Sequence, residues 1–242
     1  MPRIYTPQDL ACGAALALDS AAARHVQVLR MQPGDDLTLF NGQGGEFDAT
    51  VSLMGRSQVD VRVGAHHAIE REASHEMHLA IGMPANERMD WLIEKATELG
   101  AASIQPLMSE RSVLRLSAER AEKKLSHWQA AAIAACEQCG RNAIPSILLP
   151  LAYQTWLLSL SGSGRPMAKA ILSLDPQATA ATAWANASRD QPFLCLSGPE
   201  GGLTPDEQNA AIELGFDPVS LGTRTLRSET APLAALALWA SN

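Results

Sequence analysis

The chain has little cysteine, no surplus of positive charge and no long apolar run. Four cysteines (Cys12, Cys136, Cys139, Cys195) in 242 residues are too few for a disulfide framework, and a reduced, cytoplasmic setting fits them. No apolar run approaches the ~20 residues of a membrane-spanning helix. The Ala-rich stretch Leu10 to Leu18, ahead of Ala21-Ala22-Ala23, has the outline of a secretory leader, but Asp9 and Asp19 flank it and alanine supplies most of it, so it is expected to be part of the fold. Basic residues number 19 against 26 acidic ones, a formal net charge of -7, which excludes indiscriminate coating of nucleic acid. The glycine-rich segment Asn41-Gly42-Gln43-Gly44-Gly45 lacks the Lys-Ser/Thr of a phosphate loop and reads as a hairpin turn. No Gly-x-Gly-x-x-Gly fingerprint is present, which disfavours a dinucleotide-dependent oxidoreductase. The pair Cys136 and Cys139 lacks the two further ligands of a zinc site, and the six histidines show no ligand spacing, so no metal is expected.

What is present is ordinary globular composition, 46% hydrophobic and 19% charged, in a length that suits one or two domains. Two regimes are visible. Up to about residue 70, period-two alternation over Leu37–Phe40, Glu46–Leu53 and Gln58–Val63 predicts strands around one helix, capped by Asp19 or Ser20 and running to about Met31. Several short strands in so few residues suggest a small barrel. A polar linker, residues 69–76, follows. Beyond it strands and helices alternate. Strands are expected at His78–Met83, Ile104–Leu107, Ala170–Leu174, Phe193–Leu196 and Pro218–Leu221. Helices are expected at Glu87–Leu99, from Ser117 to about Cys139, in the Ala-rich stretch before Phe193, at Thr204–Leu214 and at Glu229–Ala240. Such alternation implies an α/β domain with a mostly parallel sheet covered on both faces.

Two C-terminal segments carry the chemistry. Leu196-Ser197-Gly198-Pro199-Glu200-Gly201-Gly202 links a strand to a helix whose start is marked by Thr204, Pro205 and Glu207. Glycines let the backbone approach a ligand closely, and loops at the carboxyl ends of parallel strands are favoured ligand sites. Leu221-Gly222-Thr223-Arg224-Thr225-Leu226-Arg227-Ser228-Glu229-Thr230-Ala231 likewise joins a strand to a helix and holds two arginines, a glutamate and hydroxyls. Read as residues alone, each segment also fits a plain strand-to-helix loop.

As a pair, the two segments closely resemble the SPOUT family of methyltransferases. Within it the resemblance is to the RsmE group, bacterial enzymes that methylate ring nitrogen N3 of a uridine in 16S ribosomal RNA of the small subunit. Pro2-Arg3-Ile4-Tyr5, Val28-Leu29-Arg30-Met31, residues 93–100, Ser109-Glu110-Arg111-Ser112-Val113 and residues 134–141 extend the resemblance nearly end to end. It implies a PUA-like RNA-binding barrel over residues 1–72 and a SPOUT α/β domain over 73–242, with a deep trefoil knot in about 170–242. It also implies a homodimer acting on ribosomal RNA or the assembled small subunit. The cofactor would be S-adenosylmethionine, with S-adenosylhomocysteine as product. Residues 231–240 are apolar nearly all round, as a helix covered by core or by a second subunit would be. Two alternatives stay open: a SPOUT enzyme for another RNA site, and an inactive RNA-binding assembly factor.

Carried over position by position, the cofactor pocket would be lined by Leu174, Leu196, Ser197, Gly198, Pro199, Glu200, Gly201, Gly202, Leu221, Gly222, Leu226, Arg227 and Thr230. Glycines and leucines offer adenine its backbone hydrogen bonds and apolar walls. Glu200 or Glu229 would favour a sulfonium cation, although either carboxylate also suits a helix start. Methyl transfer to a uracil N3 requires loss of its proton, and an arginine over the carbonyl oxygens would stabilise the resulting charge. Arg227 is the first candidate and Arg111 the second, with Glu229 as a possible base. RNA contacts would come from local charge: Arg3, Arg24 and Arg30 in the barrel half, then Arg111, Arg115, Lys123 and Arg141. Residues 111–124 hold five basic and two acidic side chains. The resemblance also implies a lysine just before the helix at residue 87, where only Arg88 is basic.

Overall fold

The computed structural model describes residues 1–160, 167–188 and 191–240. Among these the chain forms two compact units, Met1–Glu72 with Ile133–Ile144, and Ala73–Ala132 with residues from Pro145 onward.

In the first unit, β1 (Arg3–Tyr5), β2 (Ala15–Ala17), α1 (Ser20–Val28), β3 (Asp36–Phe40), β4 (Glu46–Met54) and β5 (Val59–His67) follow in order. The five strands form one sheet in the order β1-β3-β4-β5-β2, antiparallel except for the β1–β3 pair. Alternation along β5 buries Val59, Val61 and Val63, which meet Ala22, Ala23 and Val26 of α1 in a single core with Ile4, Leu37 and Leu39. Asp19 caps α1 by accepting from the amides of Ala21 and Ala22. The apolar stretch from residue 10 supplies β2 to this sheet.

Residues 133–144 are fastened to the unit by charge. Arg141 pairs with Glu72, Arg71 donates to the Gly140 carbonyl at 2.9 Å, and Arg3 donates to Asn142 Oδ1 at 2.7 Å. Cys136 is buried here, its thiol pushed up to about 12 by burial. It is a packing residue and donates weakly to the Ala143 carbonyl at 3.5 Å.

The second unit runs β6 (Met77–Gly82), α2 (Asn86–Glu98), β7 (Ala101–Met108), α3 (Ala118–Cys139, its last turns counted with the first unit), β8 (Ser146–Ile147), β9 (Leu151–Ala152) and α4 (Tyr153–Ser159). Then come β10 (Ala168–Leu172), β11 (Thr179–Ala180), α5 (Ala181–Ala187), β12 (Phe193–Ser197), α6 (Pro205–Glu213), β13 (Asp217–Ser220) and α7 (Thr230–Ala240). The sheet order is β11-β13-β10-β12-β6-β7-β8, with β9 also on β7, and every pairing is parallel. Successive residues of β12 serve opposite faces. Leu194 and Leu196 join Tyr153, Trp156, Ala211 and Phe216 beneath α4 and α6. Phe193 meets the Trp239 ring at 4.3 Å beneath α7, which also packs on α2 and α5. No helix among the described residues is long and apolar enough to cross a membrane.

Helix α6 starts where the sequence marks it. The Thr204 side chain accepts from the Glu207 amide at 3.2 Å and Glu207 Oε2 accepts from the Thr204 amide at 2.9 Å. Thr204→Ala is therefore expected to lower stability by about 1 kcal/mol, read as a shift of the denaturant midpoint. An unchanged midpoint would remove the cap from the list of stabilising features.

Near the candidate site, element boundaries differ by one or two residues from those the sequence suggests. Strand β10 ends at Leu172, so Leu174 stands in the loop, 64% exposed. Strand β13 ends at Ser220, and α7 begins at Thr230, one residue after Glu229.

Candidate functional site

Strands β13, β10 and β12 are neighbours and parallel, so their carboxyl ends lie side by side. The loops leaving them converge on one cavity of about 470 Å³, within the range of small-molecule sites. The loop after β10 contributes Ser173, Leu174 and Asp175. The loop after β12 contributes Gly198 through Leu203, and that after β13 contributes Leu221, Gly222, Arg224, Thr225, Leu226 and Ser228.

Glycine is required at two kinds of position here. At Gly198 a Cβ would stand 2.8 Å from the Leu203 nitrogen and 2.9 Å from the Gly202 carbonyl carbon, so the loop closes on itself only without a side chain. Gly202 and Gly222 have φ of +68° and +108°, which L side chains rarely adopt, and a Cβ at either would meet nothing within 4 Å. Both line the cavity and present bare backbone to it.

Charge at the rim is organised around two arginines. Arg111 lines the cavity and donates to the Gly201 carbonyl at 2.9 Å. Its own loop is braced by Glu207, whose Oε1 accepts from the Glu110 amide at 2.8 Å. Arg88 donates to Glu200 Oε1 at 3.2 Å, which also accepts from the Ala85 amide at 2.9 Å, and lies 3.7 Å from Glu229. Glu229 is buried and accepts from the Ser228 hydroxyl at 3.1 Å. Arg88, inside α2 and next to the stretch where the resemblance implies a lysine, thus ties two loop carboxylates to the start of that helix.

Of the residues the sequence nominates for the cofactor, Leu174, Ser197, Gly198, Pro199, Glu200, Gly201, Gly202, Leu221, Gly222 and Leu226 come together around the cavity. Leu196 does not line it, and sits in the core one residue short of the loop. Arg227 and Thr230 do not line it either. The Arg227 carbonyl instead accepts from the amides of Thr230 and Ala231 at the start of α7, with its side chain exposed. Arg224 and Gln208 line the cavity without having been singled out. Arg224 lies within the motif, between the nominated Gly222 and Leu226. Gln208 enters from the first turns of α6 and carries no local signal.

The basic residues nominated for RNA, Arg111 apart, fall in three places. Arg3 is ion-paired with Glu46, and Arg141, 5% exposed, with Glu72, so both serve as internal ties of the first unit. Arg24 and Arg30 are exposed on that unit. In the second unit, Arg115 and Lys123 line a second cavity of about 470 Å³ together with Arg120, Lys124 and His127.

Known proteins resemble this chain along most of its length. A family model described as an RNA methyltransferase domain matches residues 71–240, and one described as an RNA methyltransferase PUA domain matches residues 18–64. The ribosomal RNA small subunit methyltransferase E of Synechocystis sp. is 33% identical over 97% of this chain and 76% of its own. A Legionella pneumophila protein, solved in complex with the bound cofactor SAM, superposes with a TM-score of 0.90 at 36% identity, covering 99% of this chain and 96% of that one. The ribosomal RNA small subunit methyltransferase E of Neisseria gonorrhoeae, bound to S-adenosyl methionine, gives 0.88 at 34% identity, covering 98% and 95%. A cavity built by three strand ends, two signature loops around it and matches that run the length of the chain point one way: the chain belongs to the RNA methyltransferase family, in its small-subunit ribosomal RNA methyltransferase E group.

Proposed function

We propose that the protein transfers a methyl group from S-adenosylmethionine to ring nitrogen N3 of a specific uridine in 16S ribosomal RNA. The observation that carries this is the glycine-lined cavity at the ends of β13, β10 and β12, in a chain of this family. The residues suit the cofactor. Bare backbone at Gly202 and Gly222 offers amides and carbonyls to a purine, while Leu174, Leu221 and Leu226 supply apolar walls. Glu200 brings a carboxylate to the lining, held in place by Arg88 and the Ala85 amide. When bound, S-adenosylmethionine supplies an electrophilic methyl on a cationic sulfur.

The chain's own task is to orient the uracil and favour its N3 anion. A guanidinium over the carbonyl oxygens stabilises that anion, and the N3 proton passes to solvent water as the methyl leaves the sulfur. Arg111 is positioned at the cavity by the Gly201 carbonyl, and Arg227 is exposed on the loop that supplies Leu226 and Ser228. The two differ in a measurable way. Arg227→Ala is expected to lose turnover by well over about tenfold with S-adenosylmethionine affinity retained. Arg111→Ala is expected to weaken both, since it releases the Gly201 wall. Calorimetry with the cofactor and single-turnover transfer to RNA separate these outcomes. Near-normal turnover in Arg227→Ala would strike Arg227 from the catalytic groups.

The finer architecture follows the same reading. Residues 1–72 are the PUA-like barrel that takes RNA. Residues 73–242 are the catalytic domain, knotted over about 170–242. The protein works in the cytoplasm as a homodimer. Trp91, 45% exposed on α2 where that helix packs on α7, suits such an interface. The deciding experiment offers methyl-labelled S-adenosylmethionine with small-subunit RNA, naked and assembled, and maps the modified base. Label at one uridine N3 is the expected result. No transfer to either substrate would sink the proposal.

A further inference from the structure

Glu207 makes more bonds than its helix requires. A capping box asks for one acceptor at the third helical position, and glutamine serves there as well as glutamate. Glu207 spends one oxygen on that role, since Oε2 accepts from the Thr204 amide at 2.9 Å. Its other oxygen leaves the helix. Oε1 accepts at 2.8 Å from the Glu110 amide, 97 residues away in the chain. Two amides facing two oxygens require a carboxylate, because a glutamine presents one acceptor and one donor. The residue is buried and has no ion-pair partner among the described residues. Its charge is therefore held by hydrogen bonds alone, and each of them matters more than an exposed one would.

These bonds close a ring. From Glu207 it passes through the Glu110 amide to Arg111, whose guanidinium donates to the Gly201 carbonyl at 2.9 Å. From Gly201 the chain runs through Gly202 and Leu203 to the Thr204 amide, and so back to Glu207. The two arcs also touch, since a Cβ on Gly201 would stand 3.1 Å from the Arg111 Cβ.

Each arc is braced. The Ser112 amide donates to the Ser109 carbonyl at 3.2 Å and the Ser109 amide to Ser112 Oγ at 3.0 Å, with both serines buried, so residues 109–112 form a turn of their own. On the other side, the Tyr153 hydroxyl donates to the Glu207 carbonyl at 2.7 Å and anchors the start of α6. Arg111, Gly201, Gly202 and Leu203 line the cofactor cavity, whereas Glu207 does not. A shift of the cavity wall thus reaches the Arg111 loop through bonded contacts.

We propose that Glu207 is a positioning residue: its carboxylate fastens the Arg111 loop to the cofactor wall, so that ordering of residues 201–203 by S-adenosylmethionine also fixes Arg111 for the uracil. The inference rests on the methyl transfer to uridine proposed above. Arg111 would act on charge that develops in the transition state, so loss of its positioning appears in kcat rather than in KM.

The test uses the full chain as wild type, Glu207→Gln and Tyr153→Phe. Glu207→Gln keeps the shape and opens the ring at one amide. Tyr153→Phe loosens the same turn of α6 and leaves both carboxylate bonds in place. Exchange of the Glu110 amide is followed by NMR with and without S-adenosylmethionine, and turnover is measured at saturating cofactor. In wild type the cofactor is expected to slow Glu110 exchange about tenfold. In Glu207→Gln it should alter that exchange by less than about twofold. The same variant should lose about tenfold in kcat with KM for RNA little changed. Tyr153→Phe should unfold at lower denaturant yet keep the cofactor's effect on Glu110 and the wild-type turnover. If Glu207 only caps α6, the glutamine variant will show the wild-type Glu110 response and turnover, and the proposal is overturned. Wild-type Glu110 exchange that ignores the cofactor overturns it too, without any variant having to fold. Wild type that protects Glu110 on binding S-adenosylmethionine but methylates no RNA would overturn the activity instead, and would still support the ring.

Discussion

Gly198→Ala should weaken S-adenosylmethionine binding about a hundredfold, one of the two largest effects we expect. The added Cβ would sit 2.8 Å from the Leu203 nitrogen and 2.9 Å from the Gly202 carbonyl carbon. Both neighbours are backbone, so no side-chain rotation relieves the overlap and the loop must move. Overpacking of this kind costs about 1–3 kcal/mol. Because the displaced segment is itself the cavity wall, the cost falls on binding, at about 1.4 kcal/mol per factor of ten. The loop has no room on its other side either, since a Cβ on Gly82 of β6 would come within 2.6 Å of the Pro199 nitrogen. Gly222→Ala is the informative companion. It is strained by its φ of +108° but meets nothing within 4 Å, and it lines the cavity. Gly13→Ala has comparable strain, at +82° and with open space, in the first unit. Matched losses of stability in the two variants, with loss of cofactor affinity only in Gly222→Ala, would show that the effect comes from the cavity. Calorimetry that finds near wild-type affinity in Gly198→Ala would remove this loop as the cofactor wall.

These glycines were legible in the sequence because their loops combine strand ends, punctuated helix starts and a paired motif. Thr204, Pro205 and Glu207 announce α6, and the structure shows both capping hydrogen bonds. Strands with alternating or fully apolar residues, such as β5 and β12, were equally readable. The short elements were not. Strands β1, β8, β9 and β11 have three residues or fewer and exist because a neighbouring strand offers them a ladder, which leaves no period to read. The ion-pair arrangements were also invisible, because they join residues far apart in the chain. Arg88 looked like a weakened phosphate contact, yet it ties Glu200 and Glu229 together across more than a hundred residues. Arg3 and Arg141 looked like RNA contacts by charge alone, and their carboxylate partners appear only in three dimensions.

The second large effect concerns the acid side of the first unit. Glu46 is 9% exposed and accepts from Arg71 at 2.9 Å and from Arg3. The Arg71 hydrogen bond, reinforced by Arg3 and opposed by burial, holds its carboxyl down at about 2 against an ordinary 4.5. A depressed folded-state value means that the unfolded chain binds the proton more readily. The stabilisation is therefore complete above about 4.5 and is lost as pH falls through about 2. The interval corresponds to about 3 kcal/mol at neutral pH. Glu46→Gln removes the charge while keeping the shape, and it leaves Arg3, whose side chain is only 13% exposed, beside a neutral amide. Arg71 and Arg3 also hold Gly140 and Asn142, so the loss spreads to the fastening of residues 133–144. All five tryptophans lie in the second unit, so indole fluorescence would miss the event. Hydrogen exchange of β3, β4 and β5 reports it at neutral pH, and circular dichroism in urea reports it at lower pH. The variant should be less stable by about 3 kcal/mol at pH 7, by about half of that near pH 3, and by little below pH 2. A difference that stays constant from pH 7 to pH 2 would mean that Glu46 acts by packing rather than by charge.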